Sequence, residues 1–453
     1  VSDDLKASSL GCYGNKICQT PHIDSIAKHG VVFERAYCQG TWCLPSRESF
    51  MFSKYRGRSA RSLGECLQDQ GVMSARVGKI FHMRVPGDII DGTDGNDVSE
   101  CWTQRFNSSG QEAHTPGDYA CLNQNIFTTE LANRQSTRMP HRMFVTVEID
   151  GDGADQPDSK TASKAIELLE AHQDDSLFLA IGFVRPHYPM VAPRPYFDRY
   201  DPATLPLPHV PADDLDDIPP AGLRGTTNAR NAIGQYPEQH PLKWQGNSAS
   251  VSFTDDQVGR VLAKLAQLGI RDETAILFTS DHGYHLGEHT HWQKKNMHEE
   301  VTRVPLVISV PGLTGKHSHD VSNQRGSETN DSALRSKSLV ELVDLYPTIV
   351  NLLGHDIPDD IDGKSLVPVL AKPTLQIRES AFSIDRVKQQ WDYADRGSRY
   401  AYMRYADGSE ELYDMQTDPG QFHNLVFVND ASAILKRVRE RLNRKIAQTI
   451  NSL

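Results

Sequence analysis

Apolar residues follow two different spacings along the chain, and each spacing predicts one kind of secondary structure. Short apolar runs predict buried strands at 143–149, 177–184, 275–280 and 304–310. Apolar residues three and four positions apart predict helices at 159–172 and 254–268, and we also expect helices at 338–353 and 431–450. Strands that alternate with helices predict an α/β fold, in which a mostly parallel sheet is covered by helices on both faces.

The pattern changes near residue 366, after which Tyr- and Asp-rich segments at 400–405 and 411–415 precede the last predicted helix. We therefore predict a large N-terminal domain, 1–365, and a smaller C-terminal subdomain, 366–453, for which 453 residues are sufficient. Three long irregular stretches, 84–142, 185–250 and 311–335, separate the predicted elements. Stretches of this length are usually functional loops, so we expect them to line a substrate pocket.

The charge and the apolar runs exclude some classes of protein. The formal net charge of −11 argues against a general binder of nucleic acid or of another polyanion. No apolar run is long enough to span a bilayer. No signal peptide is visible at the start of the sequence.

Two polar motifs contain candidate metal ligands. Asp281 and His282 directly follow the predicted strand at 275–280, and an apolar residue opens the segment that contains Asp3 and Asp4. Because parallel sheets bind ligands beyond the carboxyl ends of their strands, we expect these side chains to meet around one metal ion. Three carboxylates favour a hard divalent cation, Ca²⁺ more than Mg²⁺. Taken alone, each motif is more typical of a polar turn.

The segment from Cys43 to Arg47 reads C-L-P-S-R and resembles the C-x-P-S-R signature of type I sulfatases. Taken alone, Cys43 is also compatible with a small buried residue before a turn. The order of D-D, C-x-P-S-R and S-D-H-G is also the order in sulfatases. Further segments resemble the iduronate-2-sulfatase-like branch: 10–14, 20–24, 77–82, 182–187, 283–289, 292–294, 302–306, 340–347 and 411–414. The resemblance thus covers nearly the whole chain.

The resemblance implies an alkaline-phosphatase-like sulfatase fold, with a large mixed, mostly parallel sheet flanked by helices and a small C-terminal antiparallel sheet with a helix. It also implies that a maturation enzyme oxidises Cys43 to formylglycine, whose hydrated form, a gem-diol, attacks the sulfate ester. The predicted metal ligands are then Asp3, Asp4, Cys43, Asp281 and His282.

Other residues match family positions that bind sulfate or transfer protons. Lys79 and Lys294 match the sulfate-binding lysines, and Arg47 matches the arginine that holds the diol and neutralises the metal-site carboxylates. His82 matches the histidine beside the diol, the expected base, and His187 matches the expected general acid near the bridging oxygen. Fixed cations are required because negative charge spreads over the sulfate oxygens in the transition state. Singly, such lysines and histidines are more often solvated charges or partners of backbone carbonyls.

Arg185 lies two residues before His187, and we predict that it binds an acidic or sulfated sugar. The reason is that a guanidinium can bind a carboxylate or a sulfate through two parallel hydrogen bonds. The chain departs from the family after the signature, where Leu-Thr-Gly-Arg is usual and residues 51–58 read M-F-S-K-Y-R-G-R. The basic residue that follows the signature could be Lys54 or Arg56 and is not assigned.

The implied activity is the hydrolysis of a sulfate ester on a sulfated oligo- or polysaccharide, such as a 2-O-sulfate on a uronic acid. Two alternatives stay open at this stage. One is a phosphodiesterase or phosphonate monoester hydrolase of the alkaline phosphatase superfamily, and the other is a non-catalytic protein that binds sulfated glycans. The expected partners are the glycan and the maturation enzyme, without nucleic acid.

The number of cysteines is compatible with a protein that is exported from the cytoplasm. The chain has seven, and setting Cys43 aside for modification leaves six, an even number compatible with disulfides in an exported protein. Cys101 and Cys121 flank a polar loop and are the expected pair. We therefore expect a periplasmic, extracellular or lysosome-like location.

Overall fold

The computed structural model describes residues 1–134, 144–224, 232–314 and 333–449. The α-helices are α1 (Pro21–Lys28), α2 (Cys43–Phe52), α3 (Leu63–Gln68), α4 (Gly87–Asp91), α5 (Pro157–Ala171), α6 (Arg194–Phe197), α7 (His240–Gln267), α8 (Glu299–Thr302), α9 (Leu345–Leu352), α10 (Val367–Ala371) and α11 (Ser432–Thr449). The strands are β1 (Val31–Tyr37), β2 (Met73–Gly78), β3 (Gln104–Phe106), β4 (Gly117–Cys121), β5 (Ile126–Thr128), β6 (Val145–Ile149), β7 (Leu177–Gly182), β8 (Met190–Pro193), β9 (Ile276–Thr279), β10 (His285–Leu286), β11 (Trp292–Gln293), β12 (Arg303–Val304), β13 (Leu306–Ser309), β14 (Leu334–Glu341), β15 (Ser380–Val387), β16 (Gln390–Gly397), β17 (Tyr400–Arg404) and β18 (Glu410–Asp414).

A large central sheet is made of two strand groups joined by the segment from Val1 to Asp3. One group has the order β14, β1, β13 and β9, with β12 also on β1, and the other has the order β7, β2 and β3. Between them, the Ser2 amide donates to the Thr279 carbonyl at 3.0 Å and the Phe183 amide donates to the Val1 carbonyl at 2.8 Å. Within these strands, only β12 and β13 run against their neighbours. The sheet is therefore mixed and mostly parallel, as predicted.

Helices cover both faces of this sheet. Neighbouring residues of a strand point to opposite faces, so Val32 of β1 packs with helices α1, α5 and α7, whereas Val31 and Phe33 pack with α2, α3 and α9. Each of these groups of side chains forms a continuous apolar core. Both faces are thus withdrawn from water, which leaves the strand ends as the place where polar groups collect.

Most predicted elements of the sheet and its helices are confirmed, with shifted ends. The strand predicted at 143–149 is β6, although residue 143 lies outside the described residues. The strand predicted at 304–310 is divided at Pro305, which has no amide hydrogen for the ladder. The helix predicted at 254–268 is the second half of α7. The helix predicted at 431–450 is α11, and residue 450 lies outside the described part of the chain.

The helix predicted at 338–353 is wrong in its first half. Residues up to Glu341 belong to β14, which pairs in parallel with β1, and only Leu345–Leu352 is an α-helix. A parallel strand that is buried on both faces has a continuous apolar run, which periodicity alone does not distinguish from a buried helix. The predicted loops also contain strands: β3, β4 and β5 lie within 84–142, and β8 lies within 185–250. Residues 135–142, 225–231 and 315–332 of the predicted loops lie outside the described residues.

A small antiparallel sheet of β15, β16, β17 and β18 follows the main sheet, with α11 packed on it. Its apolar core includes Phe382, Tyr402 and Leu442, and also Tyr55 and Val343 from the preceding part of the chain. This confirms the predicted C-terminal sheet with a helix. The division at residues 365 and 366 stays a prediction. None of the helices described here is long and apolar enough to cross a membrane.

The predicted pair of Cys101 and Cys121 is wrong. All seven cysteines are described, and all are free thiols. Cys101 is buried in the main core and its Sγ donates to Ser62 Oγ at 2.8 Å, whereas Cys121 lies on β4 with its Sγ 3.2 Å from Asn123 Oδ1. The two thiols belong to different apolar clusters, so the loop between them does not bring them together.

Candidate active site

Two distant segments meet at the carboxyl edge of the central sheet. Asp3 and Asp4 directly follow the bridge to β9, and Asp281 and His282 follow β9 itself. Asp4 turns the chain with a left-handed φ of 65°. Its amide donates to Asp281 Oδ1 at 3.2 Å, across 277 positions of sequence. The structure therefore brings together the two motifs that the sequence analysis placed in one site.

Helix α2 brings the signature segment to the same point. Trp42 is extended and Cys43 is the first residue of the helix. Pro45 suits the first turn, because the amide hydrogen that it lacks would have no partner within the helix. Cys43 and Arg47 are four positions apart, so their side chains lie on one face of α2. The C-x-P-S-R segment is thus a helix start that directs a thiol and a guanidinium toward the carboxylates.

The Cys43 thiol lies among charged and polar groups. Its Sγ is 3.2 Å from Lys294 Nζ, 3.4 Å from Asp3 Oδ1 and 3.4 Å from His282 Nε2. The side chain is 2% exposed. Burial, together with the negative charge of Asp3, raises the pKa of the Cys43 thiol. At neutral pH this residue is therefore a thiol, which is a weak nucleophile compared with a thiolate.

The side chains in this site fit a divalent metal ion. Four of them offer ligand atoms that all lie within 4.8 Å of one another: Asp3, Cys43, Asp281 and His282. Asp4 Oδ2 is buried and has no hydrogen-bond partner among the described residues. His282 Nδ1 contacts the Gly283 carbonyl at 2.8 Å, so its Nε2 is directed at Asp4 Oδ1, 3.4 Å away. Carboxylate oxygens are the ligands that hard cations prefer, and an imidazole oriented by a carbonyl is typical of metal sites.

Arg47 connects two of the carboxylates. Its Nη2 donates to Asp3 Oδ1 and its Nε donates to Asp281 Oδ2, both at 2.9 Å. Its Nη1 donates to the carbonyls of Lys79 and Ile80. Burial lowers the pKa of the guanidinium, but Asp281 and Asp3 together raise it above its ordinary value. Arg47 therefore stays charged and fixes the positions of both carboxylates.

Lys79 and Lys294 add two positive charges. Lys79 Nζ forms a fully buried ion pair with Asp3 Oδ2, and Lys294 Nζ donates to Asp4 Oδ1 at 2.6 Å. Lys79 lies where β2 passes β7, and a side chain at Gly182 would collide with the Lys79 backbone. Burial acts to lower the pKa of Lys294, but Asp4 raises it well above its ordinary value. Both ammonium groups therefore face the carboxylates that would hold a cation.

His187 also reaches the carboxylates. Its Nδ1 contacts the Tyr188 carbonyl at 2.7 Å, and its Nε2 lies 3.8 Å from Asp4 Oδ2. A carbonyl can only accept, so Nδ1 carries the proton and Nε2 faces the site. Burial, followed by the charge of Lys294, lowers the pKa of His187 well below its ordinary value. The imidazole is therefore neutral at pH 7.

His82 lies at the side of the site. Its ring contacts Trp42 edge-on, with 6.0 Å between ring centres. Its Nδ1 is buried and has no hydrogen-bond partner among the described residues. Burial, then the charge of Lys79, lowers the pKa of His82 to about 4. His82 and Lys294 are only half-buried, so the site opens to solvent on their side.

Arg185 is buried behind His187 and does not face solvent. Its Nη2 donates to Glu112 Oε2 at 2.7 Å, and its Nη1 donates to the His187 carbonyl at 3.1 Å. Its side chain is 2% exposed. The predicted contact of Arg185 with a sugar therefore stays a prediction, and these bonds instead connect Arg185 to the backbone that carries His187.

Two residues of this connection were missed by the sequence analysis. Glu112 lies in a stretch predicted to be irregular, where it adopts a left-handed φ of 52°. Asp158, in the first turn of α5, accepts the amides of Val184 at 2.7 Å and Arg185 at 3.1 Å. Asp158 follows Pro157 just before the predicted helix. This pattern indicates a helix N-terminus, but it does not show which segment the Asp158 carboxylate binds. The partners of both residues are distant in sequence.

Comparisons with known proteins show the family to which this chain belongs. The profile of the Sulfatase family matches residues 1–355, and the profile described as N-sulphoglucosamine sulphohydrolase, C-terminal, matches residues 287–448. Iduronate 2-sulfatase of Mus musculus is 31% identical over 401 residues, which are 79% of this chain and 68% of that protein.

Solved structures share the fold. Phosphonate monoester hydrolase from Silicibacter pomeroyi has a TM-score of 0.76 at 21% identity and covers 99% of this chain, which covers 94% of that one. A structure solved in complex with its substrate D-glucosamine-2-N,6-O-disulfate has a TM-score of 0.75 at 19% identity and covers 100% of this chain, which covers 97% of that one. At such identity the two matches establish only the alkaline-phosphatase-like fold. The match to the family profile establishes the family. This chain belongs to the sulfatase family and is a sulfuric ester hydrolase.

Proposed function

We propose that this enzyme removes sulfate from a sulfated carbohydrate, with formylglycine made from Cys43 and with a bound Ca²⁺. One observation carries the proposal: Cys43 Sγ lies 3.2 Å from Lys294 Nζ and 3.4 Å from Asp3 Oδ1. The candidate nucleophile is thus between a cation that can bind sulfate and a carboxylate that can bind a metal ion. Little thiolate forms at neutral pH, because burial raises the pKa of Cys43, and this favours a nucleophile other than sulfur.

Hydrated formylglycine would supply a hydroxyl nucleophile and a second hydroxyl for the release of sulfate. The side chains around it have supporting roles. Arg47 holds Asp3 and Asp281 in place through its two hydrogen bonds. Lys79 and Lys294 bring positive charge to the place where negative charge grows on the sulfate oxygens, and buried charges act strongly there.

His187 and His82 are the proposed proton carriers. Because His187 Nδ1 is fixed on a carbonyl, Nε2 is the atom available to protonate the leaving oxygen. A bound sulfate ester opposes the effect of Lys294 on the pKa of His187 and so favours the protonated form that a general acid requires. His82, with a pKa lowered by burial to about 4 and an unpartnered Nδ1, is a neutral base at pH 7.

Asp3, Asp4, Asp281 and His282 would hold the metal ion, next to the Cys43 position. The bound cation would supply positive charge against the oxygens of the reacting group. Ca²⁺ is proposed rather than Mg²⁺, because Ca²⁺ accepts more ligands in looser geometry, although Mg²⁺ fits the same oxygens. The orphaned Asp4 Oδ2 is the observation that supports an ion at this position.

The proposed substrate is a uronic acid or another polysaccharide sugar, for example one with a 2-O-sulfate. The similarity to a protein named iduronate 2-sulfatase supports the uronic acid. A fold match to a protein solved with a disulfated glucosamine supports the wider class of sulfated sugars. The second proposed partner is the maturation enzyme, and nucleic acid is not among the proposed partners. We also propose export to a periplasmic, extracellular or lysosome-like compartment.

Phosphonate monoester hydrolysis is the second candidate activity. The fold match to a phosphonate monoester hydrolase favours it, at a TM-score of 0.76. Against it, the two lysines and two histidines around Cys43 suit the low charge of a sulfate ester. The non-catalytic alternative is not retained, because the chain belongs to an enzyme family and has all the predicted site residues.

The experiment measures sulfate release from an aryl sulfate and from a panel of sulfated glycans, with and without a chelator. The mass of the Cys43 peptide is determined on the same preparation, co-expressed with a maturation enzyme. An aldehyde at Cys43 and release of sulfate that Ca²⁺ restores after chelation would support the proposal. A modified Cys43 that cleaves phosphonate esters but no sulfate ester would favour the second candidate. Turnover of sulfate esters by protein with only unmodified Cys43 would refute the proposed nucleophile.

A further inference from the structure

Four buried histidines lie together outside the Cys43 site. They form what we call the histidine cluster, composed of His285, His289, His291 and His298. Their ring centres are between 4.6 and 6.2 Å apart for every pair. None of the roles proposed above uses them.

Four nitrogens of this cluster are buried without a hydrogen-bond partner among the described residues. They are Nδ1 of His285, both ring nitrogens of His291, and Nδ1 of His298. Buried polar atoms are normally paired, and a group of unpaired ones indicates an unseen ion or water. A water would satisfy only some of them at a time, because every neutral imidazole presents both a donor and an acceptor.

The opposite nitrogens are held by carboxylates or an amide. His289 Nδ1 lies 3.0 Å from both carboxylate oxygens of Asp214, and His298 Nε2 lies 2.9 Å from Glu411 Oε2. His285 Nε2 contacts the side-chain amide of Asn296. Histidines that bind metal ions almost always use their second nitrogen in this way, which orients the ring and increases its basicity.

We propose that the histidine cluster binds one Zn²⁺ ion, at a site separate from that of the catalytic cation. Imidazole suits Zn²⁺, whereas Ca²⁺ prefers oxygen ligands, so the two sites select different metals. Histidines bound to one Zn²⁺ at about 2.0–2.1 Å would have ring centres about 5 Å apart. Unlike the ligand atoms of the Cys43 site, the nitrogens of the cluster do not all lie within 4.8 Å of one another, so the rings have to rotate and approach before they can share one ion.

The charge states of His285 and His291 agree with metal binding, whereas burial lowers the pKa of His289 but its bond to Asp214 raises it above the ordinary value, so a bound ion would displace a proton there. Burial, with the neighbouring histidines second, lowers the pKa of His285 well below its ordinary value and that of His291 to about 3. Both rings are therefore neutral at pH 7, and a neutral ring nitrogen is the ligand that a metal ion requires. The unpaired nitrogens, and the bonds that Asp214, Asn296 and Glu411 make to the opposite ones, support the ion independently of these pKa directions.

The position of the cluster gives the ion a structural role. His285 lies in β10 and His291 directly precedes β11, and this hairpin leads directly to Lys294. His298 is tied through Glu411 to β18 of the C-terminal sheet. An ion here would fasten the hairpin to that sheet and hold Lys294 in place.

The test is equilibrium dialysis of the full chain against Zn²⁺ in excess Ca²⁺, with zinc per chain measured by mass spectrometry. Wild type is expected to retain one zinc equivalent that His291→Gln and His298→Gln lose, each by more than tenfold weaker binding. Asp214→Asn is expected to weaken binding about 10- to 100-fold through its effect on His289. His29→Gln, an exposed histidine at the end of α1, is the matched control and keeps the zinc.

X-ray absorption at the zinc edge of the wild type keeps the test valid if a variant fails to fold. Four imidazoles and no sulfur around zinc would support the histidine cluster, because the Cys43 site offers at most three, from His82, His187 and His282, beside the Cys43 sulfur. Zinc bound to sulfur, wild type without zinc after dialysis, or equal zinc in folded wild type, His291→Gln and His298→Gln would each overturn the proposal.

Discussion

Replacing Glu112 with glutamine tests whether Arg185 acts by positioning His187. The Glu112 and Arg185 side chains are 0% and 2% exposed, and their charged atoms are 2.7 Å apart. Removing one member of a buried ion pair leaves the other charge uncompensated and costs about 3–5 kcal/mol of unfolding free energy. The amide oxygen of glutamine can still accept from Arg185, so we expect Glu112→Gln to lie near the low end of that range.

The ion pair of Arg194 and Asp118 provides the matched control. Its atoms are 2.9 Å apart, but the side chains are 42% and 53% exposed. Exposed pairs contribute about 0–1 kcal/mol. Asp118→Asn removes the same kind of charge, so urea unfolding of both variants isolates the effect of burial.

Kinetics separate positioning from sugar binding. Arg185 Nη1 donates to the His187 carbonyl, so a displaced Arg185 moves the proposed general acid. A displacement of about 1 Å can lower the rate about 100-fold. We expect Glu112→Gln and Arg185→Ala to lower kcat equally for an aryl sulfate and for a sulfated glycan. A rise in KM confined to the glycan would show that Arg185 contacts the sugar and would refute the positioning role. Unfolding free energies of Glu112→Gln and Asp118→Asn that agree within error would refute the buried ion pair.

Three further predictions concern the site. Cys43→Ala should abolish turnover and leave thermal unfolding close to wild type, because one buried side chain provides the proposed nucleophile; residual sulfatase activity after removal of contaminating enzyme would contradict it. Chelation should stop turnover, and Ca²⁺ should restore it more fully than Mg²⁺ does; activity that persists in a chelated sample with no metal detected by mass spectrometry would count against the cation. Burial and Lys79 lower the pKa of His82 from 6.5 to about 4, so between these pH values the unfolded chain binds one more proton than the folded chain, and stability is lost as pH falls from about 6.5 to about 4. The free energy of urea unfolding should therefore depend less on pH in this range for His82→Asn than for wild type. Parallel curves for the two proteins would show that the lowered pKa is wrong.

The meeting of Asp281 and His282 with the Cys43 segment could be predicted from the sequence, because the motifs are local. Asp281 and His282 follow an apolar run that is also a strand in the structure, so their placement at a strand end required no tertiary information. The signature from Cys43 to Arg47 is a single helix turn, whose geometry follows from its spacing. The strand-end rule for parallel sheets and the family order of the motifs then supplied the long-range links between them.

The contacts that surround this part could not be read from the sequence. Glu112 pairs with Arg185 across 73 positions, in a stretch without periodicity. Leu339 and Val340 fit a helical spacing, but pairing with β1 makes them part of a strand, so tertiary structure overrides the local pattern. The even number of cysteines left after Cys43 did not indicate a disulfide, since all seven thiols are free.

The bridge between the two strand groups has a consequence for how this enzyme is made. Val1 bonds to Ile181 across 180 positions, and the Ser2 carbonyl accepts from Ser280 across 278. Contacts of such sequence separation form late and slowly in folding. The pocket around Cys43 therefore closes only after the ribosome has released most of the chain. Until then the thiol is open to solvent, so the proposed conversion to the aldehyde and folding would compete for the same interval. The yield of active enzyme would then depend on the rate of folding as well as on the stability of the fold.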